Sequence, residues 1–198
     1  ATAVAHAKAL VAQGADITDV GGDPPRPGAT RVPLAEEQRR VLPVIEALAA
    51  ENIVMSVDTL NPETARAAVA AGAHIINDVA GMSLRDDMIE TVAELGVPYI
   101  LMHSRGTSLT MDSQAVYTDV AAEVFKELFI LRERLIRGGV ATEQIILDPG
   151  PGFAKQGEQN WQILAGLQAL AAEGHRVLVA GSRKRFIARL LQEQDAAA

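Results

Sequence analysis

Ile53-Val54-Met55-Ser56-Val57 is a short apolar run that ends on Asp58-Thr59. Asn61-Pro62 follows, then an alanine-rich stretch from Glu63 to Ala71 closed by Gly72. His74-Ile75-Ile76 resumes the apolar character and ends on Asn77-Asp78. The order is strand, helix, strand. Asn61 suits an N-cap, and Pro62 suits the first helical position, where a missing N–H costs nothing. Gly72 suits the left-handed residue that closes a helix. Nearly continuous apolar runs indicate strands buried on both faces. Joined through a helix, two such strands lie parallel with a right-handed crossover.

The same alternation runs outward in both directions. Strands are predicted at Ala15–Val20, Ile53–Val57, His74–Ile76, Tyr99–Met102, Gln144–Leu147 and Arg176–Ala180. Helices are predicted at Ala3–Gln13, Leu34–Glu51, Pro62–Ala71, Asp86–Leu95, Ser113–Arg137, Glu158–Ala172 and Lys184–Gln194. Gly14, Gly72, Gly96, Gly138 and Gly174 punctuate helix ends, and Glu51-Asn52 fills the joint that has no glycine. Long loops are expected at Gly21–Pro33 and His103–Asp112. The class is α/β, with no hairpin signal and no linker, so residues 1–198 read as one domain. Six strands would fit a doubly wound sheet. A (β/α)8 barrel needs eight strands and about 250 residues, so a barrel reading makes this chain incomplete, starting with the strand before its first helix.

Composition narrows the function. The chain is 48% hydrophobic with a net charge of −7, enough apolar material for a core. Eighteen basic against 25 acidic residues argue against a nucleic-acid binder, which must neutralise phosphates. There is no cysteine, which excludes disulfides and thiolate sites and fits a reducing cytoplasm. No apolar run reaches the roughly 18 residues of a membrane span, and Ala1–Val11 lacks the pattern of a signal peptide.

The polar residues fall at strand ends. Asp19 and Gly21-Gly22 end the first strand, Asp58-Thr59 the second, Asn77-Asp78 the third, His103 the fourth and Asp148 the fifth; Ser182 and Lys184 follow the sixth. Parallel strands bring these ends to one rim, the ligand-binding side of α/β folds. Each residue also has a plain reading. Thr59 and Asn61 suit helix caps, Asp78 a turn cap, and His103 a satisfied buried histidine. Capping does not require every strand to end this way, and the set as a whole points to a site.

Three loops add chemistry. Gly21 to Gly28 carries Arg26 among prolines and glycines, suited to an anionic or planar group. Asp148-Pro149-Gly150-Pro151-Gly152-Phe153 joins a carboxylate to an aromatic ring, which suits a flat, nitrogen-rich heterocycle. Gly181-Ser182-Arg183-Lys184-Arg185 places cations at a helix start and reads as an anion site. The scattered histidines form no metal motif, and neither GxSxG nor a Walker sequence occurs.

In family order, Asp19-Val20-Gly21-Gly22 with Arg26-Pro27-Gly28-Ala29, Ser56-Val57-Asp58-Thr59, Ile76-Asn77-Asp78-Val79, Leu101-Met102-His103, Leu147 to Lys155 and Ser182 to Phe186 resemble bacterial dihydropteroate synthase. The resemblance implies a TIM barrel. It also implies a transferase of folate biosynthesis that joins 6-hydroxymethyl-7,8-dihydropterin diphosphate to p-aminobenzoate, with Mg2+ assisting and sulfonamides competing. Asp58, Asn77, Asp148 and Lys184 match the family's pterin-pocket residues, with Asp58 and Lys184 catalytic. Met102 matches the pterin floor and Phe153 a pocket wall. Arg26 and Ser182 match the p-aminobenzoate side. The family assigns Lys184 to pterin and to packing against the p-aminobenzoate ring, in place of the anion site. A cytoplasmic homodimer is implied.

Departures from the family pattern accompany the resemblance. The family's first strand, whose loop supplies the Mg2+-binding Asn, is absent, as is the last strand with its diphosphate-binding Arg and His. Pro25 stands where the family has a substrate-contacting Thr. A partial chain of a synthase accounts for this. The alternatives are a shortened pterin-binding protein without synthase activity, and a pterin-dependent methyltransferase on the same barrel. Two unpaired sheet edges predict marginal solubility or association.

Overall fold

The parallel sheet forms in strict chain order. The computed structural model describes residues 2–22, 32–106, 110–182 and 184–197. Strands β1 (Thr18–Gly21), β2 (Met55–Asp58), β3 (Ile75–Asp78), β4 (Tyr99–Met102), β5 (Ile145–Asp148) and β6 (Arg176–Val177) pair side by side in that order. All pairs are parallel. Around them run α1 (Thr2–Ala12), α2 (Leu34–Ala49), α3 (Pro62–Ala70), α4 (Asp86–Leu95), α5 (Val120–Arg137), α6 (Glu158–Ala165), α7 (Leu167–Ala171) and α8 (Arg185–Ala197).

The order never reverses, and this decides between the two architectures left open by the strand count. Right-handed crossovers that always advance in one direction put every helix on the same face. A doubly wound sheet would reverse at a switch point. The helix-covered face is the core. Met55, Val57, Ile76, Tyr99, Leu101, Ile145 and Leu147 pack there against Val41, Ile45 and Leu48 of α2, Val92 of α4, and Val124, Leu128 and Leu131 of α5. The α5 residues recur at helical spacing, the stripe that an amphipathic helix buries. The opposite, inner face carries Ser56, Asp58, Asn77, Ile100, Met102, Ile146 and Asp148, by the alternation of side chains along each strand.

Several boundaries depart from the sequence reading. The long helix begins at Val120, because the Asp119 carboxylate accepts from Ala122 N at 3.0 Å; Met111–Gln114 forms a separate 3-10 turn. The helix predicted at Glu158–Ala172 splits into α6 and α7 at Gly166, where an added Cβ would stand 3.0 Å from the Phe125 ring, so glycine permits close contact with α5. Asn52 takes the left-handed conformation at the joint without glycine (φ 56°). Thr59 and Asn61 do not cap α3 through their side chains. Thr59 Oγ1, Asn61 Nδ2 and Thr64 Oγ1 instead donate to the buried Glu37 carboxylate at 2.6, 2.6 and 2.7 Å, tying the loop after β2 to α2.

Candidate functional site

The rim of the inner face gathers two adjoining groups of the expected residues. Gly21, Asp58 and Asn77 stand in register across β1, β2 and β3. Asp19 accepts from Ser56 Oγ at 2.5 Å and from Asn77 Nδ2 at 3.1 Å, which fixes the Asn77 amide beside Asp58. Removal of the carboxyl from water among the strand ends raises the Asp19 pKa above its ordinary value, opposed by these two hydrogen bonds. An added Cβ on Gly21 would meet the Asp58 side chain at 3.3 Å, so the small residue opposite leaves the carboxylate its space.

Asn77 pairs with Ile100, and Met102 lies two residues further along the same inner face. Met102 in turn pairs with Asp148 of β5. The Asp148 carboxyl is pushed up to about 6 by burial, against a hydrogen bond from Gly150 N and the charges of Lys155 and Lys184. Lys184 Nζ stands 4.2 Å from the centre of the Phe153 ring. Burial lowers its pKa, and Asp148 opposes that shift. Asp148, Met102, Phe153 and Lys184 thus form one cluster: a carboxylate, a soft apolar side chain, and a ring capped by a cation.

Ser182 lies two residues before Lys184 and is exposed. Arg26 lies outside the described residues, as does most of the predicted loop Gly21–Pro33. Asp78 and His103, both strand-end residues, turn away from the rim. Asp78 accepts from Tyr99 Oη at 2.8 Å and from Ala80 N at 2.6 Å, acting as the turn cap that was its plain reading. His103 is buried, with Nε2 2.8 Å from Glu127 of α5 and Nδ1 2.9 Å from Lys155 Nζ. Burial brings its pKa down to about 4.

Sequence reasoning missed the group behind the rim. Lys155 is 4% exposed, and Arg105 Nε donates to Glu127 at 3.0 Å. Burial pushes the Glu127 carboxyl up, but the bonds from His103 and Arg105 outweigh it and hold the group at about 2. Lys155 closes the Leu147-to-Lys155 stretch, and that was its one signal. Glu127 had none, being one acidic residue among several on a helix.

Chemically, the rim can grip a flat heterocycle. Asp148 accepts from amino and ring N–H groups, Asn77 both donates and accepts, Met102 supplies a polarizable floor, and Phe153 supplies a wall. Among the described residues, no group of three or more His, Asp or Glu side chains stands where it could hold a metal ion.

The sequence matches the pterin binding enzyme family over residues 1–198. It is 44% identical over 196 residues to the dihydropteroate synthase of Mycobacterium leprae, covering 98% of this chain and 69% of that protein. Against the dihydropteroate synthase of Escherichia coli K12 the identity is 42% over 190 residues, covering 96% of this chain and 67% of that one. Among solved structures, the Xanthomonas albilineans dihydropteroate synthase with 4-aminobenzoic acid matches with a TM-score of 0.88 at 44% identity, over 96% of this chain and 67% of that one. The same enzyme in complex with 7,8-dihydropteroate matches with a TM-score of 0.83 at 40% identity, over 98% and 70%. The sheet and helices of this chain are six strands' worth of a (β/α)8-type barrel. The chain therefore belongs to the pterin binding enzyme family and, within it, to the dihydropteroate synthases.

Proposed function

We propose that Asp58, Asn77, Met102, Asp148, Phe153 and Lys184 form the pterin pocket through which this synthase condenses 6-hydroxymethyl-7,8-dihydropterin diphosphate with p-aminobenzoate. The observation that carries this reading is the cluster in which Met102 and Asp148 stand in register beside the Lys184–Phe153 pair. It offers a pterin a carboxylate at its edge and apolar contact on its faces. In the reaction the arylamine nitrogen bonds to the pterin methylene carbon, the carbon–oxygen bond to diphosphate breaks, and the nitrogen gives up a proton. Positive charge grows on that carbon as diphosphate departs. The Asp58 carboxylate, held on the same rim, stabilises it electrostatically. Asp148 and Asn77 orient the ring, and the Lys184 stem lines the side where p-aminobenzoate enters.

Ser182, exposed beside Lys184, and Arg26 are assigned to p-aminobenzoate by the family pattern, and solved relatives carry 4-aminobenzoate. A Yersinia pestis relative has been solved with a sulfonamide drug complex, and we extend sulfonamide competition to this chain. Mg2+ assistance follows from the family. Among the described residues no three His, Asp or Glu side chains converge on a place for the ion. The family pattern also supports a homodimer in the cytoplasm, and the lack of cysteine accords with a reducing compartment.

Asp148→Asn in the full-length synthase tests the pocket. Calorimetric titration with the pterin substrate is expected to show binding weakened by about 1–3 kcal/mol, the scale of a lost charged hydrogen bond. Unchanged affinity would remove Asp148 from the pocket.

A further inference from the structure

Lys155 is the most deeply buried cation of the described chain, and the pocket chemistry above does not use it. Its Nζ lies 2.8 Å from Phe153 O, 3.1 Å from Gly150 O, 3.2 Å from His103 O and 2.9 Å from His103 Nδ1. All but the His103 contacts are with its own loop, between β5 and α6. That loop is costly to hold. Gly150 and Gly152 have φ of +62° and +81°, and Ala154, which is not a glycine, has φ of +51°. A left-handed alanine persists only where its surroundings over-determine it. Gly150 also leaves no space for a side chain, since a Cβ there would fall 2.2 Å from His103 O.

The same loop shapes the pocket. Gly150 N donates to Asp148 Oδ1 at 2.8 Å, while Gly150 O accepts from Lys155. Phe153 O accepts from Lys155, while the Phe153 ring meets Lys184. One ammonium therefore braces Phe153 directly and Asp148 through Gly150, the two residues that β5 and the loop after it bring to the proposed pocket. The orientation of the brace is set from behind. Glu127 faces His103 Nε2 and keeps the proton there, so Nδ1 is bare and accepts from Lys155.

We propose that Lys155 is a positioning residue of the pterin site, whose buried ammonium locks the 149–154 loop so that Asp148 and Phe153 hold their places around the ring. The charged groups facing it are Asp148 and Glu127, which favour its protonation, and Arg105 and Lys184, which oppose it; burial outweighs the favourable pair and brings it to about 7. The ammonium form has three donors for these acceptors, and the neutral amine has two.

This rests on the pterin-pocket reading, and the test separates the two. Steady-state kinetics of the full-length synthase are compared for Lys155→Met, which keeps the stem and removes the donors, Lys155→Gln, which restores part of the donor set, and Asp148→Asn. Lys155→Met is expected to raise KM for the pterin substrate about tenfold, the scale of lost charged hydrogen bonds, with KM for p-aminobenzoate and kcat within about twofold. Lys155→Gln is expected to fall between it and the wild type. A purely structural role would instead lower the fraction of folded enzyme and leave the pterin KM unchanged. That result, with Asp148→Asn still raising the pterin KM, overturns the positioning role alone. An unchanged pterin KM in Asp148→Asn overturns the pocket reading and this proposal with it. Should Lys155→Met not fold, Glu127→Gln decides, because its amide can donate to Nε2 and release the tautomer that faces Lys155. A threefold or larger rise in pterin KM, about the scale of one weakened hydrogen bond, supports the proposal, and no rise overturns it.

Discussion

Asp148 ties the fold to the proposed pocket through one proton. Burial lifts its carboxyl to about 6, well above the roughly 3.9 of an unfolded aspartate. The folded state thus binds this proton more tightly than the unfolded chain does. The stability this gives is complete below about pH 4 and is lost as pH rises through about 6. Pterin recognition has the opposite sign, because only the ionised carboxylate accepts from both ring and amino N–H groups. The dissociation constant for the pterin substrate is therefore expected to rise by up to about tenfold per pH unit below pH 6, as for a single linked proton. Asp148→Asn should flatten that part of the profile in calorimetry. A wild-type profile that stays flat from pH 5 to 7 would show that Asp148 does not bear on binding.

At the scale of elements, α5 shows how a local cap overrides a longer helical pattern. The sequence suggested a helix from Ser113, but Asp119 accepts from Ala122 N and sets the start at Val120. Asp119→Ala is expected to cost about 1 kcal/mol of stability, the usual loss of an N-cap. Urea denaturation of the full-length synthase reads this as a lower midpoint with an unchanged slope, and an unmoved midpoint would make the cap dispensable. The strands were legible because each is a short apolar run bounded by turn residues. Their ends and the helices between them needed only local chemistry. The break between α6 and α7 was not legible, since Gly166 is required by the Phe125 ring of a different helix. Nor was the Glu37 cluster, where Thr59 and Asn61 give up capping and join Thr64 in satisfying a buried carboxylate on α2. An unsatisfied buried charge costs more than an uncapped helix end.

At the scale of the whole sheet, among the described residues β1 has one neighbour and so does β6, which is two residues long. Open strand edges pair with whatever strand they meet. Sedimentation velocity of the 198-residue chain alone is expected to show concentration-dependent association, and a sharp monomer across micromolar concentrations would refute it. Alternation along the chain was enough to fix parallel strands, their order of appearance and the shared rim, because periodicity and caps act over a few residues. The sequence placed Asp58, Asn77, Asp148 and Lys184 at that rim by the same logic. Only the tertiary structure decided which of two neighbouring polar residues faces inward. Asn77 lies on the inner face beside Asp58 while its neighbour Asp78 turns to Tyr99; His103, next along the chain from the inner-face Met102, backs onto Glu127. Successive side chains on a strand lie on opposite faces, so one residue of register exchanges ligand for brace, and the register is set by burial against helices far away in sequence.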